Sequence, residues 1–549
     1  MKHVNAVVVG AGAAGGVVAK ELAAAGLSVV LLEAGRWTTN SDCRKDDLRN
    51  QRTSVLGLPF GPDDERHPRV VVEGKRPPRV VLPSEGGQHN ASCVGSGTVS
   101  YGAMAWRFMP QDFKMRSTYG AVAGSTLEDW PIGYEDLEPY YEKAEWEMGV
   151  SGDVGPDPFK GPRRRGLPMP PVPPNRECEI LRAAAKRLGW HPFDIPMLRN
   201  SVPYNGRQPC MQCRWCVGHQ CEVDAKNGTH NTVIPTALAT GNCELRTRSR
   251  AREILVDARG RPRGVAYFDE RDRLREQTAD IIVVSCAAIE SARLLLHSKS
   301  RHHPRGIGNR YDWVGRNLQG HTYIRVAGLF KEEIYDDLGP GAGIALCDFA
   351  HNNKGLVGGA MLTNEFIRSP YQYIAKTPPR VPRWGPQHKK WMRDTYRFHI
   401  SVGGPIEEMP MWESRVELDP EVKDYWGVPV PRLSGQKHPH VVDIAKFVTA
   451  KSELWLKEAG AVETWYSLPG IASLSGGQHQ AGTCRMGNDP KTSVVNRHCQ
   501  VHDVDNLFVV DGSVHVTNGT FNPALTIIAI GYYAGAWIAR EWKGTRFRP

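Results

Sequence analysis

The chain has 549 residues, with 69 Lys and Arg against 59 Asp and Glu and a net charge of +10. That length exceeds one compact core and implies two or three lobes. The basic residues are scattered, and their densest knot, Arg163-Arg-Arg165, sits in a proline-rich loop from Gly155 to Pro174, so it reads as solvated surface and no nucleic-acid groove is expected.

At the N-terminus, Val7-Val-Val9 reads as a short strand, Gly10-Ala-Gly12-Ala-Ala-Gly15 as a turn, Val17 to Ala25 as a helix and Ser28 to Leu32 as a second strand. The first glycine permits the tight turn, the second lets backbone approach a pyrophosphate, and the third lets helix and strand pack closely. The helix start, around Ala14, offers unpaired N–H groups to phosphate. Glu33, 18 positions after Gly15, is placed to accept hydrogen bonds from ribose hydroxyls. No charged-then-apolar leader precedes Val4, so the expectation is a soluble, cytoplasmic protein, unless a partner carrying a signal exports it.

Residues 36 to 85 are rich in charge and proline and read as a surface excursion. Gly86-Gly87 follows, and then Cys93-Val-Gly-Ser-Gly-Thr-Val-Ser-Tyr-Gly-Ala-Met-Ala-Trp-Arg107, a small-residue stretch that either lies against a ligand or forms a buried turn. Gly95, Gly97, Thr98 and Ser100 are its ligand-contact candidates. Glu135 to Met148 reads as a helix whose Leu137, Tyr141, Ala144 and Met148 recur at core spacing.

Twelve cysteines do not resemble a disulfide-dense scaffold. Cys210, Cys213, Cys216 and Cys221 nevertheless have the spacing C-x2-C-x2-C-x4-C, close to runs that hold iron–sulfur clusters. Two readings stand: a structural loop without metal, reduced or partly disulfide-linked, or a cluster site.

From Cys243 to Leu295 strands and a helix return: Glu244-Leu-Arg-Thr, Arg252-Glu-Ile-Leu-Val, Gly264-Val-Ala-Tyr-Phe, Asp280-Ile-Ile-Val-Val-Ser and a helix from Ile289. Residues 320 to 460 alternate, as in His321-Thr-Tyr-Ile-Arg-Val and Tyr396-Arg-Phe-His-Ile-Ser-Val, and read as an antiparallel sheet with one face on a pocket. Near the end come His479-Gln-Ala-Gly-Thr-Cys-Arg-Met-Gly487, the strand Asn506 to Asp511, and Asn522-Pro-Ala-Leu-Thr526. Asn522 followed by Pro523 and an apolar run reads as an N-cap with proline at the first helical position. That run, Pro523 to Ile538, is broken by Gly531 and Gly535 and falls short of the about 20 residues that span a bilayer.

Taken together, the fingerprint at 7 to 33, the Val94-to-Met104 loop, Ile281-to-Ser285 with Ala287-to-Arg293, the H-x-x-G-T-x-R-M-G block and the N-P-x-x-T close resemble the glucose-methanol-choline family of flavin oxidoreductases over nearly the whole chain. The resemblance implies an α/β fold: a Rossmann-like FAD-binding domain and a second, α+β substrate domain on a largely antiparallel sheet. It assigns 1–35, 86–110, 225–320 and 476–549 to the first, and 111–224 and 321–475 to the second and its surface excursions. It also implies FAD contacts from Gly10, Gly12, Ala14, Gly15, Glu33, Gly95, Gly97, Thr98, Ser100, Ala251, Asp511, Asn522, Pro523 and Thr526.

For chemistry, the resemblance makes His479 the base for a substrate hydroxyl, with hydride passing to the flavin, and Asn522 the partner that orients the substrate oxygen. An imidazole suits that task because its ordinary pKa lies near 6.5. Met104, Arg107 and Gln478 are the candidate substrate contacts. Val99-Ser100-Tyr101 stands where some sugar-oxidising members carry a flavin-tethering histidine, so non-covalent FAD is expected. No second G-x-G-x-x-G appears, which argues against a separate nicotinamide site.

The segments Met104-Ala-Trp-Arg-Phe108, Asp129-Trp-Pro-Ile-Gly-Tyr134, Cys210 to Thr229 and Asn522-Pro523 are most similar to bacterial sugar oxidoreductases, including gluconate-type dehydrogenases, pyranose oxidases and glycoside oxidases. The expected reaction is oxidation of a secondary hydroxyl of a pyranose or glycoside, at C3 or C2, with oxygen as acceptor and hydrogen peroxide as product. Two alternatives are carried: a dehydrogenase flavoprotein relaying electrons through an iron–sulfur cluster to a cytochrome or quinone, and a non-redox lyase on the flavin fold. Homo-oligomerisation is left open.

Overall fold

The computed structural model describes residues 2–42, 60–85, 90–154, 158–339, 343–365, 370–374, 376–474 and 479–543. Gly86, Gly87 and Gln478 therefore lie outside the described residues. The chain opens with β1 (Val4–Val9), α1 (Gly15–Ala24) and β2 (Val29–Leu32). A hairpin of β3 (Arg69–Glu73) and β4 (Arg79–Val81) follows, then α2 (Gly97–Ser100), α3 (Tyr134–Met148), α4 (Arg176–Arg187) and β5 (Phe193–Asp194). Next come β6 (Cys243–Arg246), β7 (Arg250–Val256), β8 (Pro262–Phe268), β9 (Leu274–Val284) and α5 (Ala287–His297). The second half holds β10 (Thr322–Leu329), β11 (Ile344–Leu346), β12 (Leu362–Asn364), β13 (His399–Ile406), β14 (Arg415–Lys423) and β15 (Pro429–Gly435). It closes with α6 (His440–Glu458), β16 (Glu463–Tyr466), β17 (Leu507–Val509) and α7 (Ala524–Lys543).

Three sheets result. In the seven-stranded sheet, β6, β2, β1 and β9 run parallel, and β17 also pairs with β9 in parallel. The buried, β-branched character of Val7, Val8 and Val9 is what a parallel strand covered on both faces requires. The first half of β9 instead pairs antiparallel with β8, and β8 with β7. Helices α1 and α7 cross on one face of this sheet. They approach closely because Gly531 carries no side chain: a Cβ there would lie 3.2 Å from Ala14 Cα.

The second sheet, in the order β16-β10-β13-β12-β11-β5, is antiparallel throughout. Along β10 the even residues Thr322, Ile324 and Val326 are buried, while Tyr323 and Arg325, on the opposite face, are half-buried. Ile324 and Val326 pack with Ile400, Val402 and the helices α4 and α6. One face of the sheet is thereby closed by helices, and the other is left for polar groups.

The stretch 36 to 85, expected as an excursion, ends in the β3–β4 hairpin. There β3 pairs in parallel with β15 to build a four-stranded sheet, β14-β15-β3-β4. A buried ion network fastens that sheet to α5. Arg69 donates to Glu290 at 2.7 Å, and Arg293 donates to Asp424 at 2.7 Å and Glu290 at 3.3 Å. Arg250 joins through Asp424 at 3.3 Å. Burial alone would raise the Glu290 pKa, but Arg293, Arg69 and Arg250 hold it well below the usual carboxylate range.

In the Arg163-Arg-Arg165 knot, Arg164 and Arg165 are exposed, as expected of solvated surface, while Arg163 turns inward. Arg163 reaches Glu145 at 2.7 Å, Arg164 pairs with Glu138 at 2.9 Å, and Arg165 lies over the Trp146 ring. Among the described residues no helix is long and apolar enough to cross a membrane. Asp424→Asn leaves Arg69, Arg250 and Arg293 to share the one carboxylate of Glu290 and should destabilise the fold by about 3 kcal/mol, read as a lowered thermal midpoint. An unchanged midpoint would show that the network does not hold the four-stranded sheet to α5.

Candidate active site

The glycine turn after β1 is shaped by close backbone contacts. Gly10 has φ +102°, and a Cβ on it would lie 2.2 Å from the Ser285 carbonyl oxygen, while one on Gly15 would lie 1.9 Å from the Gly10 oxygen. Opposite this turn lies the Val94–Ser100 loop, tied to it by Gly95 N–H to the Ala11 carbonyl at 2.8 Å and by Thr229 Oγ1 to the Gly12 carbonyl at 3.2 Å. Thr98 braces the loop, donating to the Gly95 carbonyl at 2.6 Å and accepting from Thr229 N–H at 3.1 Å. Gly97, at the head of α2, faces open space, with nothing within 4 Å of where its Cβ would stand. At the tip of β2 a cavity of about 300 Å³ is lined by Ala34, Gly35, Arg36, Ser92, Arg248 and Trp426, among others. Open space at Gly97, beside the glycine turn, and a cavity at the second strand's tip leave room for an extended dinucleotide.

Glu33 sits at that tip, and its carboxylate accepts from Ala11 N–H at 2.9 Å and Gly35 N–H at 2.8 Å. Burial pushes its pKa up to about 7 against these N–H bonds. Ala251 lies at a bulge at the start of β7, two residues after Ser249, whose N–H is bound to the Glu33 carbonyl at 2.8 Å. Chain pairing thus brings Ala251 to the same end as Glu33.

At the other end stands the imidazole. His479 has φ +57°, a left-handed conformation that is uncommon for a side chain of this size. Asn518 clamps its backbone, donating from Nδ2 to the His479 carbonyl at 2.7 Å. The structure brings His479 and Asn522 together: Asn522 Nδ2 is 3.3 Å from His479 Nε2 and donates to the Tyr323 hydroxyl at 3.1 Å. His479 Nδ1 lies 2.7 Å from His321 Nδ1. The Asn522 Oδ1 acceptor is buried without a partner among the described residues.

Several expected contacts are placed elsewhere. Asn522 is not the helix cap: α7 begins at Ala524, its first turn closes from Ile527 N–H onto the Pro523 carbonyl at 2.9 Å, and the Asn522 side chain turns to Tyr323 and His479. Arg107, expected to face substrate, is buried, with its guanidinium shared among Glu145 at 2.7 and 2.8 Å, Glu138 at 3.2 Å and Tyr134 at 3.0 Å. Met104, 3% exposed, packs in the core with its sulfur 3.5 Å from Trp106 Nε1.

Two expected cofactor contacts also turn inward. Asp511 accepts from Ser291 Oγ at 2.5 Å and Ser513 N–H at 2.8 Å, and the Thr526 hydroxyl bonds Tyr141 at 2.8 Å. Both support the turn and helix around the site. Ser100 is buried, and its carbonyl accepts from Gly218 N–H at 2.6 Å. His321, Tyr323 and Asn518 join the site without belonging to any of the motifs named above. The two-residue alternation of His321-Thr-Tyr323 already puts the first two on one face.

Comparison with known proteins places the chain in a family. Residues 125–323 and 410–531 match the N- and C-terminal family profiles of the GMC oxidoreductases. The 2-methyl-1,2-propanediol dehydrogenase of Mycolicibacterium austroafricanum is 32% identical over 557 aligned residues, covering 98% of this chain and 96% of that protein. This chain belongs to the GMC oxidoreductase family. The gluconate 2-dehydrogenase flavoprotein of Pantoea cypripedii is 28% identical, covering 99% of this chain and 94% of its own length. For the paromamine 6'-oxidase of Streptomyces fradiae the figures are 30%, 96% and 89%. Among solved structures, pyridoxine 4-oxidase from Mesorbium loti superposes with a TM-score of 0.64 at 18% identity, over 98% of this chain and 99% of that one, which shows the fold.

As a family member the chain is a flavoprotein oxidoreductase acting on CH–OH groups, with FAD as its cofactor. Gly97→Val places a branched side chain in the open space beside the glycine turn without meeting any protein atom at Cβ. FAD retention should weaken by about tenfold or more with circular dichroism unchanged. A native ratio of flavin to protein would show that FAD does not lie there.

Proposed function

We propose that the chain oxidises a secondary hydroxyl of a pyranose sugar or glycoside, at C3 or C2, to the keto-sugar, with oxygen as the electron acceptor and hydrogen peroxide as product. The observation that carries the reading is the cluster in which Asn522 Nδ2 lies 3.3 Å from His479 Nε2 and donates to the Tyr323 hydroxyl at 3.1 Å. There, His479 Nε2 takes the hydroxyl proton, and Asn522 and Tyr323 hold the substrate oxygen so that its carbon-bound hydrogen is directed to the cofactor. FAD, when bound, supplies the hydride acceptor. The names of several relatives support a sugar-like substrate: the gluconate 2-dehydrogenase flavoprotein, the fructose dehydrogenase large subunit of Gluconobacter japonicus and the paromamine 6'-oxidase.

The cofactor is proposed to be held non-covalently by the Gly10–Gly15 turn, the Gly95–Ser100 loop and Glu33. Val99 and Ser100 are buried, and the Tyr101 hydroxyl donates to the Asn227 carbonyl, so the positions where other members tether flavin carry inward-turned side chains and no histidine.

A second reading concerns the route of the electrons. Cys210, Cys213, Cys216 and Cys221, none of them in a disulfide among the described residues, line one cavity together with Arg199 and Lys226. Arg199 is buried, and its Nε and Nη1 have no partner among the described residues. Among the described residues no group of three or more His, Cys, Asp or Glu converges to hold a single metal ion, so the thiols share a space without meeting at a point. Four thiolates beside two buried cations would suit an iron–sulfur cluster, which would carry electrons onward to a cytochrome or quinone.

One spectrum separates the two. Flavin bands alone, with peroxide formed under air from a glycoside, support oxygen as the acceptor; measurable iron with absorbance beyond the flavin bands supports the relay. For the shared chemistry, His479→Ala should keep FAD and slow anaerobic bleaching by about 10²–10⁴-fold, and Asn522→Ala should slow it less. Bleaching at the native rate in His479→Ala would remove His479 as the base.

A further inference from the structure

A histidine can serve as base at Nε2 only if its proton sits on Nδ1. Which nitrogen of His479 carries the proton follows from a chain of contacts that ends on a backbone carbonyl. His321 Nε2 lies 2.8 Å from the Gly519 carbonyl oxygen. A carbonyl only accepts, so this nitrogen bears the hydrogen, and the Nδ1 of a neutral His321 is left as an acceptor. Across 2.7 Å stands His479 Nδ1. Two facing nitrogens at that distance need one hydrogen between them, and His479 must supply it. His479 Nε2 then carries a lone pair, and the group before it is the Asn522 amide nitrogen at 3.3 Å, a donor. The Tyr323 hydroxyl also faces His479 Nδ1, but at 3.5 Å it is too distant to compete with His321 at 2.7 Å for that hydrogen.

The opposite assignment requires His321 to be a cation, because its Nε2 already donates to the Gly519 carbonyl. Burial lowers the His321 pKa, opposing that state. The other ionisable groups that act on His321 are Glu408, Asp112 and His515. The Glu408 carboxylate accepts from Thr322 Oγ1 at 2.5 Å, and Asp112 is engaged by His351 at 2.9 Å and Met109 N–H at 2.6 Å.

We infer that His321 is a positioning residue that fixes the tautomer of His479, through the line Gly519 carbonyl, His321, His479, and so directs the Nε2 lone pair at the substrate hydroxyl. When that hydroxyl gives up its proton, the O–H bond breaks and the N–H bond forms at His479 Nε2. The imidazolium keeps its Nδ1 hydrogen bond to His321, so no second proton need move. The inference rests on the reading of His479 as base, but the tautomer itself can be observed without substrate.

Nitrogen-15 spectra of histidine-labelled, FAD-loaded protein test it directly. Native protein should show His479 with a protonated Nδ1 and an unprotonated Nε2. His321→Leu removes the acceptor and should give a mixture of tautomers, whereas His321→Asn, which can present Oδ1 in place of Nδ1, should restore the native form. With methyl glucoside, D-glucose and a phenyl glucoside as probes, the fastest anaerobic bleaching should fall by about 10²-fold or more in His321→Leu and recover to within about tenfold in His321→Asn. A native His479 protonated at Nε2 would overturn the inference, whatever the activity. A His321→Leu protein that keeps both the native tautomer and the native rate would overturn it as well. If His479→Ala instead bleaches at the native rate, the reading of the base fails while the tautomer result stands.

Discussion

Strand β9 pairs in parallel with β1 along one edge and with β17 along the other, and the geometry of the site depends on that pairing. β1 delivers the glycine turn, and β17 delivers the segment that leads through Asn518 to Asn522. Two regions at opposite ends of the sequence thus become neighbours across a single strand. The β9 register holds Val283 against both Val8 and Phe508. A one-residue slip would exchange the side chains packed on the two buried faces of the sheet, so the fit of packing on each face specifies the register.

Onto this frame the antiparallel sheet adds one polar face. Because Ile324 and Val326 are needed by the helices on its far side, pleating leaves Tyr323, and His321 just before the strand, for the near side, where they meet His479. The candidate base is held by backbone and side chain alike. Asn518 fixes its carbonyl, the left-handed backbone aims its ring, and the Gly519 carbonyl acts on its protonation through His321. Residues 518 to 522 thus supply a clamp, an acceptor and an amide within one short loop.

Local patterns were legible in the sequence wherever a residue's role depends on its near neighbours. The βαβ unit, the core face of Tyr134–Met148 and the alternation of β10 all follow from spacing. The roles of side chains that choose distant partners did not. Arg107 looked available for substrate because Glu138 and Glu145 are 31 and 38 positions away in sequence and meet it only once α3 packs. Asp511 and Thr526 sit in a family motif, yet their polar atoms are taken by Ser291, Ser513 and Tyr141. Asn522 before Pro523 has the composition of a helix cap, but a side chain that can reach Tyr323 and His479 has another use for its amide. His321 lies 158 positions from His479, and no local pattern links them.

The central claim is that His479, unprotonated at Nε2, takes the substrate proton. The most direct test is the pH dependence of anaerobic flavin bleaching by a saturating glycoside, compared between the native protein and His479→Gln. The account predicts a rate that rises with pH through a single histidine-like ionisation to a plateau in the native protein, and a slow rate lacking that ionisation in the variant. The same rising limb in both proteins would contradict it.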